Sequence, residues 1–572
     1  MQRLPCFLLM SAFAGLLACS GPLESATPEA KAPPAAAPLA DSIPGATLIP
    51  GLGNHHFPIS STQPEVQRWF DQGLMLTYGF NHDAAERSFL RAAEIDPECA
   101  MCLWGAALVL GPHVNAGMDP ANNSKAWLRL QRARVLAAKA TPREQAFIET
   151  LSARYAEQPP ENRRPLDEAY AAATATLMKT LPDDLDAATF HAEALMDLQP
   201  WDYYDAQFQP KGNIEKIVST LESVMQRNPD HAGALHLYVH AVEASAHPER
   251  GVAAADHLRE LIPGSGHLVH MPAHIYSRVG RWHDAVLANQ VAIAADDAYL
   301  DLCRGNTGGV YPLGYVPHNH HFLWFAASME GNSEVARAAA RHTAERTADA
   351  ELMRTPGYEA MQHYWMTPWF DNVRFARWDE IAAAPNPAPD LKYVSVIWHY
   401  AEGIAAARQG RKDDAAQHLA ALRPLLADPA LRKILVWDRY PLSNAAEIAE
   451  RSLTAEVALL DKDSDAAIAA LQEAVGIEDR IPYDEPPAWH APTRHALGAA
   501  LLGAALLGAG KAADAEAVYR AELRRNPQNG WSLHGLAQSL RAQKRNAEAA
   551  EVEKHFADAW KNADVKLASS QI

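Results

Sequence analysis

Apolar residues recur with a helical period along most of the chain, and the pattern is clearest between residues 66 and 99. This stretch, VQRWFDQGLMLTYGFNHDAAERSFLRAAEIDPEC, holds two amphipathic segments separated by a short turn. Gly73 and Ala85 are small residues where two paired helices would approach closely, and Pro97 ends the second segment. Such a hairpin cannot bury its apolar face alone, so the pattern predicts copies stacked along a superhelix.

The same skeleton returns along the chain, which predicts one repeat array. Clear copies cover 266–299, 396–429, 496–529 and 530–563, and weaker copies lie near 232, 317, 362 and 448. Insertions separate them at 112–125, 199–212 and 300–316. We expect roughly eight to ten units between residues 60 and 565. The expected divisions are a signal peptide at 1–18, a tether at 19–58, and repeat segments at 59–230, 231–390 and 391–572.

The spacing of Trp69, Gly73, Ala85, Phe89, Ala92 and Pro97 resembles the tetratricopeptide repeat (TPR). The resemblance implies an all-α, TPR-type solenoid whose first helices line a concave groove. The chain also resembles, over nearly its whole length, a group of bacterial TPR lipoproteins with histidine-rich central repeats. The phrases FNHDAAERSF, HLYVHAVEAS, GHLVHMPAHIY and YDEPPAWHAP carry that second resemblance. A TPR fold alone indicates no particular chemistry.

In the TPR family, positions 2, 5, 9 and 12 of each first helix face the groove. Turn and small residues, without histidine, place position 1 of three central units at Ala232, Gly266 and Pro317. Seven of the nine positions 2, 5 and 9 are then histidine: His267 and His318 at position 2, His236, His270 and His321 at position 5, His240 and His274 at position 9. With 25 histidines in 572 residues, chance would place fewer than one there.

Histidines at i and i+4 share one helix face, and packed helices lie about 8–10 Å apart. The pairs HLYVH (236–240) and HMPAH (270–274) are therefore expected to converge on a transition-metal ion. Seven imidazoles exceed the needs of one ion, so either two or more ions bind or some histidines support ligands or face a substrate. Imidazole without thiolate suits copper, iron or zinc, and a methionine near the groove, Met366 or Met271, favours copper. Pro272 is expected to stiffen the backbone between His270 and His274.

Four further residues are candidates for the same centre, as ligands or supports: Glu243, His363, Met366 and Glu193. Glu243, at position 12, could bind the ion, fix a histidine tautomer or act as a general base. Glu193 lies one unit before the ladder, with a core or capping role as its alternative. The connector YDEPPAWH (483–490) is expected to be structural. A copper or iron oxidoreductase or a metal carrier would follow from such a centre, and no catalytic residue can be assigned.

The first 18 residues read as a secretory signal, and Leu16-Leu17-Ala18-Cys19 resembles a bacterial lipobox. That resemblance implies a lipid on Cys19, and Ser20 in place of an aspartate implies the outer membrane. We therefore expect a protein of the bacterial cell envelope, lipid-anchored and facing the periplasm, with a Pro/Ala-rich tether. An uncleaved anchor and an ordinary cleaved signal are the alternatives.

Cys99 and Cys102 form a CxxC motif that is not followed by histidine, which excludes a haem-attachment motif. Three interpretations stay open: a redox-active pair, a structural disulfide, or two small apolar residues packed in a helix.

The chain carries a net charge of −18 and no basic run, which argues against nucleic acid as a partner. The alternative to a metal centre is a metal-free scaffold whose polar groove binds an envelope protein or an acidic peptide.

Overall fold

The computed structural model describes residues 45–303, 308–437, 439–506 and 510–572, which fall in one compact unit. The predicted signal peptide, Cys19 and most of the tether lie outside the described residues. Within them, no helix is long and apolar enough to cross a membrane. Helices dominate this part of the chain, beside one antiparallel ribbon of β1 (Leu435–Val436) and β2 (Tyr440–Pro441).

Twelve helical hairpins follow one another in the described residues, which confirms the predicted all-α, TPR-type solenoid. The first four are α1 (Pro64–Tyr78) with α2 (His82–Ile95), α3 (Ala100–Leu108) with α4 (Asn123–Leu136), α5 (Pro142–Leu151) with α6 (Arg164–Thr180), and α7 (Leu185–Asp197) with α8 (Ile214–Arg227). The expected number of eight to ten units is too low. Three of these hairpins, between residues 100 and 227, lack the consensus spacing because long loops interrupt the period.

The central hairpins follow without a break in the solenoid. They are α9 (Ala232–Glu243) with α10 (Val252–Leu261), α11 (Gly266–His270) and α12 (Pro272–Val279) with α13 (Trp282–Cys303), α14 (Val316–Glu330) with α15 (Ser333–Arg346), and α16 (Met361–Trp365) and α17 (Thr367–Arg374) with α18 (Trp378–Ala382). A π-helix, Tyr311–Tyr315, leads directly into α14.

Four hairpins complete the array. They are α19 (Lys392–Arg408) with α20 (Lys412–Leu425), α21 (Ser443–Leu460) with α22 (Ser464–Glu478), α23 (Thr493–Ala504) with α24 (Ala512–Arg525), and α25 (Gly530–Ala542) with α26 (Asn546–Ala559). Short 3-10 turns lie at Pro120–Asn122, Ala137–Lys139, Ser152–Arg154, Pro248–Gly251 and Leu352–Arg354. The expected boundaries at 230 and 390 fall between hairpins, and the division into segments stays a prediction.

An aromatic residue of the second helix wedges between glycines of neighbouring first helices, and this sets the close spacing of the hairpins. A Cβ added at Gly73 or Gly105 would lie 2.7 or 2.5 Å from the ring of Phe89. Gly498 and Gly535 stand in the same way against Tyr519 near the other end of the array. Since real Cβ contacts of this length would require the ring to move, the small residues are required by packing.

The C-terminal hairpins fold back onto the central ones. The indole nitrogen of Trp282 donates to the carbonyl of Pro527 (2.9 Å), and that of Trp531 donates to the carbonyl of Ser328 (2.9 Å). The carboxylate of Asp564 accepts from the first backbone N–H groups of α15. The central first helices are therefore buried, and the groove that the resemblance implies is filled here by the chain's own side chains.

Cys99 and Cys102 are joined by a disulfide bond at the start of α3, where Cys99 is the N-cap residue. Of the readings left open, the structure corresponds to the bonded pair, and both residues are also buried.

Candidate metal centre

Three histidines from two neighbouring units form a first cluster, here named triad A. His236 and His240 lie one turn apart on α9, and His267 lies on α11. The Nε2 atoms of His236 and His267 are 3.1 Å apart, and each ring offers a nitrogen within 4.8 Å of the others. The three side chains are at most 1% exposed.

A second cluster, triad B, follows one unit later and consists of His270, His274 and His318. His270 ends α11, His274 lies on α12 and His318 lies on α14. The Nε2 of His270 is 2.7 Å from that of His274 and 3.1 Å from that of His318. All three side chains are buried.

Both triads follow one rule of the repeat. Positions 5 and 9 of one unit combine with position 2 of the next, and the position 5 to position 2 separation is 3.1 Å in both. The sequence led us to expect that the two HxxxH pairs converge on one ion. The four histidines do not form one cluster, although one of each pair, His240 and His274, groups with Glu243. Each pair takes its third partner from the following helix, because stacking places position 2 of that helix opposite position 5.

The backbone breaks within triad B. Pro272 lacks an amide hydrogen, so α11 ends at His270 and Pro272 opens α12 instead of stiffening one continuous helix. The N–H of His274 bonds the carbonyl of Met271, three residues back, at 3.1 Å. This tighter turn brings the rings of His270 and His274 together, with centroids 4.7 Å apart.

Glu243 connects the two triads. Its Oε1 accepts from Nδ1 of His240 (2.8 Å) and its Oε2 accepts from Nδ1 of His274 (2.7 Å). Burial opposes ionisation, but the electrostatic attraction of the neighbouring imidazoles and the hydrogen bonds that they donate outweigh it and lower the pKa of Glu243. This geometry is that of an acceptor that fixes histidine tautomers. The role of a ligand also stays open, because Glu243, His240 and His274 form a group of potential metal ligands.

Two more outer nitrogens, those of His236 and His270, are fixed in the same way. Nδ1 of His236 donates to the carbonyl of Tyr78 (2.6 Å), and Nδ1 of His270 donates to Oδ1 of Asn289 (2.7 Å). The amide nitrogen of Asn289 donates to a carbonyl of its own helix, which settles the orientation of this side chain. In four of the six rings, Nδ1 therefore carries the proton and faces outward, and Nε2 has a lone pair that faces inward.

The inner nitrogens are short of protons. With both Nδ1 atoms bonded outward, the Nε2 atoms of His270 and His274 face each other at 2.7 Å as two lone pairs. Nε2 of His240 is buried and has no partner among the described residues. Burial lowers the pKa of His236, His267, His270 and His318 well below the usual value, and neighbouring imidazoles add to this effect. A cation between the inner nitrogens would remove the repulsion.

A loop from the C-terminal hairpins reaches the centre, which the sequence did not indicate. The hydroxyl of Tyr483 donates to Oε2 of Glu243 at 2.8 Å. Oε1 of Glu485 lies 3.7 Å from Nδ1 of His274. The connector 483–490, expected to be only structural, therefore contributes a third donor to the Glu243 carboxylate. No spacing in the sequence could reveal this contact, because it spans 240 residues.

Aromatic rings enclose the triads. Phe80 lies 4.5 Å from the ring of His236, and Tyr315 lies 4.5 Å from that of His267. The ring of Trp201 lies 5.0 Å from that of His240. These residues lie on loops or at helix ends and carry no periodic signal. Their packing excludes water from the inner nitrogens.

Three candidate residues lie away from both triads. His321 contacts Tyr364, with ring centroids 5.0 Å apart, and lies 5.9 Å from His363. Nδ1 of His363 bonds the hydroxyl of Tyr393 (2.8 Å). Met366 is buried at the junction of α16 and α17, away from the helices of the triads, and does not indicate copper. Met271, the other methionine considered, is buried between His270 and Pro272.

Glu193 belongs to another buried group. It lies on α7 one turn before Asp197, whose carboxylate pairs with Arg154 at 2.9 Å. Burial raises the pKa of Glu193 to about 7, against the attraction of Arg154. This placement differs from the groove-facing role considered for Glu193.

A further group, His55, Asp186 and His231, also brings potential ligands together. Here one carboxylate oxygen of Asp186 accepts from the hydroxyl of Tyr78 (2.6 Å) and from Nε2 of His55 (2.9 Å). Nδ1 of His231 accepts from a backbone N–H, so its Nε2 carries the proton toward Asp186. Donors and acceptors match in this group, unlike in the triads.

No known protein-family model matches the chain, and no curated protein matches it. Solved helical-repeat structures are similar to it at low identity. Human IFIT1 with PPP-AAAA is 13% identical, with 87% of this chain and 91% of that chain covered and a TM-score of 0.30. The Cut9–Hcn1 hetero-tetramer of the APC/C is 13% identical, with 87% of this chain and 94% of that chain covered and a TM-score of 0.27. The TPR domain of P58(IPK) is 12% identical, with 84% of this chain and 98% of that chain covered and a TM-score of 0.21. These superpositions are too loose to transfer any property, and the fold assignment rests on the helix pairs themselves.

Proposed function

We propose that triads A and B hold two transition-metal ions, with three imidazole nitrogens on each and Glu243 orienting one histidine of each triad. The observation that carries this proposal is the contact of three Nε2 atoms in triad B. His270 and His274 are 2.7 Å apart there with both outer protons already used, and His318 lies 3.1 Å from His270. One proton would relieve one pair of nitrogens, whereas a metal ion accepts all three lone pairs.

The distances suit metal coordination after a small expansion. Nitrogens bound at ~2.05 Å to one tetrahedral ion lie ~3.3 Å apart. The observed separations of 2.7 and 3.1 Å are shorter by a few tenths of an ångström or more. Three ligands would leave a fourth position free, which is the arrangement of catalytic metal sites. The buried carboxylate of Glu243 would balance part of the charge of both ions.

We favour copper, because the ligand set is purely imidazole and divalent copper binds nitrogen ligands most tightly in the first-row series. Copper or iron would supply one-electron chemistry, whereas zinc would not. Burial of all six ligands supports a resident cofactor over a readily exchanged cargo. The proposed function is therefore a metal-dependent oxidoreductase, with a metal carrier as the other use of the same site.

We further propose that the protein works at the bacterial envelope, anchored through a lipid on Cys19. The support is the Leu-Leu-Ala-Cys sequence at 16–19 followed by the Pro/Ala-rich tether. We expect Cys19→Ser to move the protein from the membrane fraction to the soluble fraction of a bacterial host. Unchanged membrane association and an unmodified mass at Cys19 in the parent protein would contradict this proposal.

A metal-free scaffold for a protein partner is the alternative, since helical repeats commonly present docking surfaces. The burial of the histidines argues against their use as such a surface, because a partner would first have to displace the chain's own side chains. This alternative becomes the better description if the purified protein holds no metal.

The test is the metal content of the full chain purified from cultures supplied with copper, iron and zinc. We expect about two ions per chain in the parent protein and about one in His318→Ala, which loses one ligand of triad B. His320→Ala is the matched control. His320 is equally buried on the same helix, but its ring lies against His342, 5.4 Å away.

We expect His320→Ala to keep both ions. A parent protein without metal would overturn the proposal. An equal loss of metal in both variants would also contradict it, provided that thermal unfolding shows both to be folded.

A further inference from the structure

Arg374, on α17, is a buried cation without an ionic partner in the described residues. The side chain is 7% exposed, and its guanidinium stacks on Trp531 at 3.7 Å from the ring centroid. Nη1 donates to Nδ1 of His495 at 3.2 Å. Nε and Nη2 are buried and make no hydrogen bond with any described residue. A guanidinium left in this state is strongly unfavourable.

The carboxylates around Arg374 do not neutralise its charge by an ion pair. Glu522 attracts it electrostatically but forms no ion pair with it, and Glu522 instead accepts from Asn526 at 2.6 Å. Glu456 is engaged by Arg408 at 2.7 Å. Burial lowers the pKa of Arg374 to about 9, which still leaves it charged at neutral pH. No carboxylate of the described residues forms an ion pair with Arg374, although Glu456 and Ile572 line the same cavity.

Arg374 lines a cavity of about 70 Å³ together with Tyr400, Arg408, His490, Thr493 and His495. His490 has a second unpartnered buried nitrogen, Nδ1. Its Nε2 lies 3.1 Å from the hydroxyl of Tyr400. With this hydroxyl donating to Nε2, Nδ1 of His490 carries the proton. The two side chains thus have three nitrogens whose N–H groups are unused: Nε and Nη2 of Arg374 and Nδ1 of His490.

We propose that this cavity binds a small carboxylate. Nε and Nη2 of Arg374 bind its two oxygens in a bidentate manner, and Nδ1 of His490 donates a further hydrogen bond. These two guanidinium nitrogens form one edge, and their spacing matches the two oxygens of a carboxylate. The site is separate from the metal triads, so it stands whether or not they hold metal.

Size and charge favour a monoanionic carboxylate over phosphate. The cavity holds little more than a few water-sized volumes. Glu456 also lines it and would repel a second negative charge. We therefore expect formate and acetate to bind more tightly than inorganic phosphate.

The test is calorimetric titration of the full chain with sodium acetate, sodium formate and sodium phosphate at constant ionic strength. We expect saturable acetate binding with a Kd of about 1 mM or tighter. Arg374→Met should abolish it. Arg374→Lys keeps the charge without the two-pronged edge, and we expect binding about tenfold weaker or worse.

Arg377→Met is the matched control. Arg377 follows on the same stretch of chain, and its guanidinium is already bonded to Asp371 and to the carbonyl of Ser333. It should bind acetate as the parent protein does. Non-saturating heats in the parent protein would overturn the proposal, as would equal binding by Arg374→Met. If Arg374→Met does not fold, an acetate-dependent rise in the parent Tm that His490→Phe weakens keeps the proposal testable, and no rise refutes it.

Discussion

Triads A and B can be compared with the next set along the solenoid, which has His321, Phe325 and His363 at the same repeat positions. In this third set phenylalanine replaces the position 9 histidine. The position 5 and position 2 rings are 5.9 Å apart there, against 4.9 and 4.8 Å in triads A and B. Without a histidine at position 9, the two remaining rings of this set lie farther apart than their counterparts in the triads.

The third set also shows how a buried histidine is satisfied without metal. His363 bonds Tyr393, and burial lowers the pKa of His363 to about 4. His495, which belongs to neither triad, is satisfied by hydrogen bonds of its two ring nitrogens to Arg374 and Asn529. Burial therefore does not distinguish a ligand histidine. The distinguishing feature is an outward hydrogen bond on Nδ1 combined with inner nitrogens that face one another.

The largest effect is expected when both triads are converted into copies of the third set. His240→Phe combined with His274→Phe removes position 9 from each, and two imidazoles no longer hold an ion buried beside aromatic rings. We expect the metal content to fall from about two ions per chain to less than about 0.2. Elemental analysis checks this, with circular dichroism as the control for folding. Retention of both ions would show that position 9 does not matter.

The converse change should create a site. Phe325→His places histidine at position 9 of the third set, one turn after His321. We expect about one additional ion per chain, bound more weakly than the others because the rings start farther apart. Titration of the metal-loaded protein with further metal measures it. Leu323→His is the control, since Leu323 is buried on the same helix but two residues after His321, where side chains do not share a helix face. A similar gain there would contradict the repeat rule.

A smaller effect is expected when the carboxylate between the triads is neutralised. Glu243→Gln keeps the shape but replaces an acceptor of two imidazole protons, so both triads should bind metal about 10- to 100-fold more weakly. Competition with a chelator of known affinity measures this. Glu522→Gln, another fully buried glutamate far along the chain, should leave the affinity unchanged. Equal affinities in both variants would refute the orienting role of Glu243.

The smallest effect concerns the loop contact. Tyr483→Phe removes one donor to Glu243, and we expect a loss of about 0.5–1.5 kcal/mol in the free energy of unfolding. Metal affinity should fall by less than about tenfold. Tyr519→Phe is the comparison, because its hydroxyl bonds Ser570 at 2.6 Å, far from Glu243 in the chain. Tyr519→Phe should reduce the free energy of unfolding similarly without a change in metal affinity. A loss of metal affinity in Tyr519→Phe but not in Tyr483→Phe would contradict the role of the Tyr483 contact.

The repeat pattern was sufficient to predict the fold class and the positions that bear the histidines. Both follow from a local period, which survives in the sequence wherever hairpins stack in the same way. The pattern failed between residues 100 and 227, where loops of variable length hide the period. It also did not indicate that the array folds back, because the contact of Trp282 with Pro527 joins residues 245 positions apart.

Within the candidate site, six of the seven proposed ligands lie in the two triads and His321 does not. The repeat register places His321 at position 5, but a ligand set also needs histidine at position 9 of the same helix and at position 2 of the next. Glu243 was found because it lies on the same helix face as His240. Tyr483 was missed because its contact depends on a distant loop.

The most direct test of the two-ion centre is anomalous diffraction from crystals of the metal-loaded protein, measured at the absorption edge of the bound metal. We expect two anomalous peaks, one within about 2.0–2.1 Å of three nitrogens of triad A and one at the same distances in triad B. A single peak between the two HxxxH pairs, or no peak in protein loaded with copper, iron and zinc in turn, would contradict the assignment of two three-histidine sites.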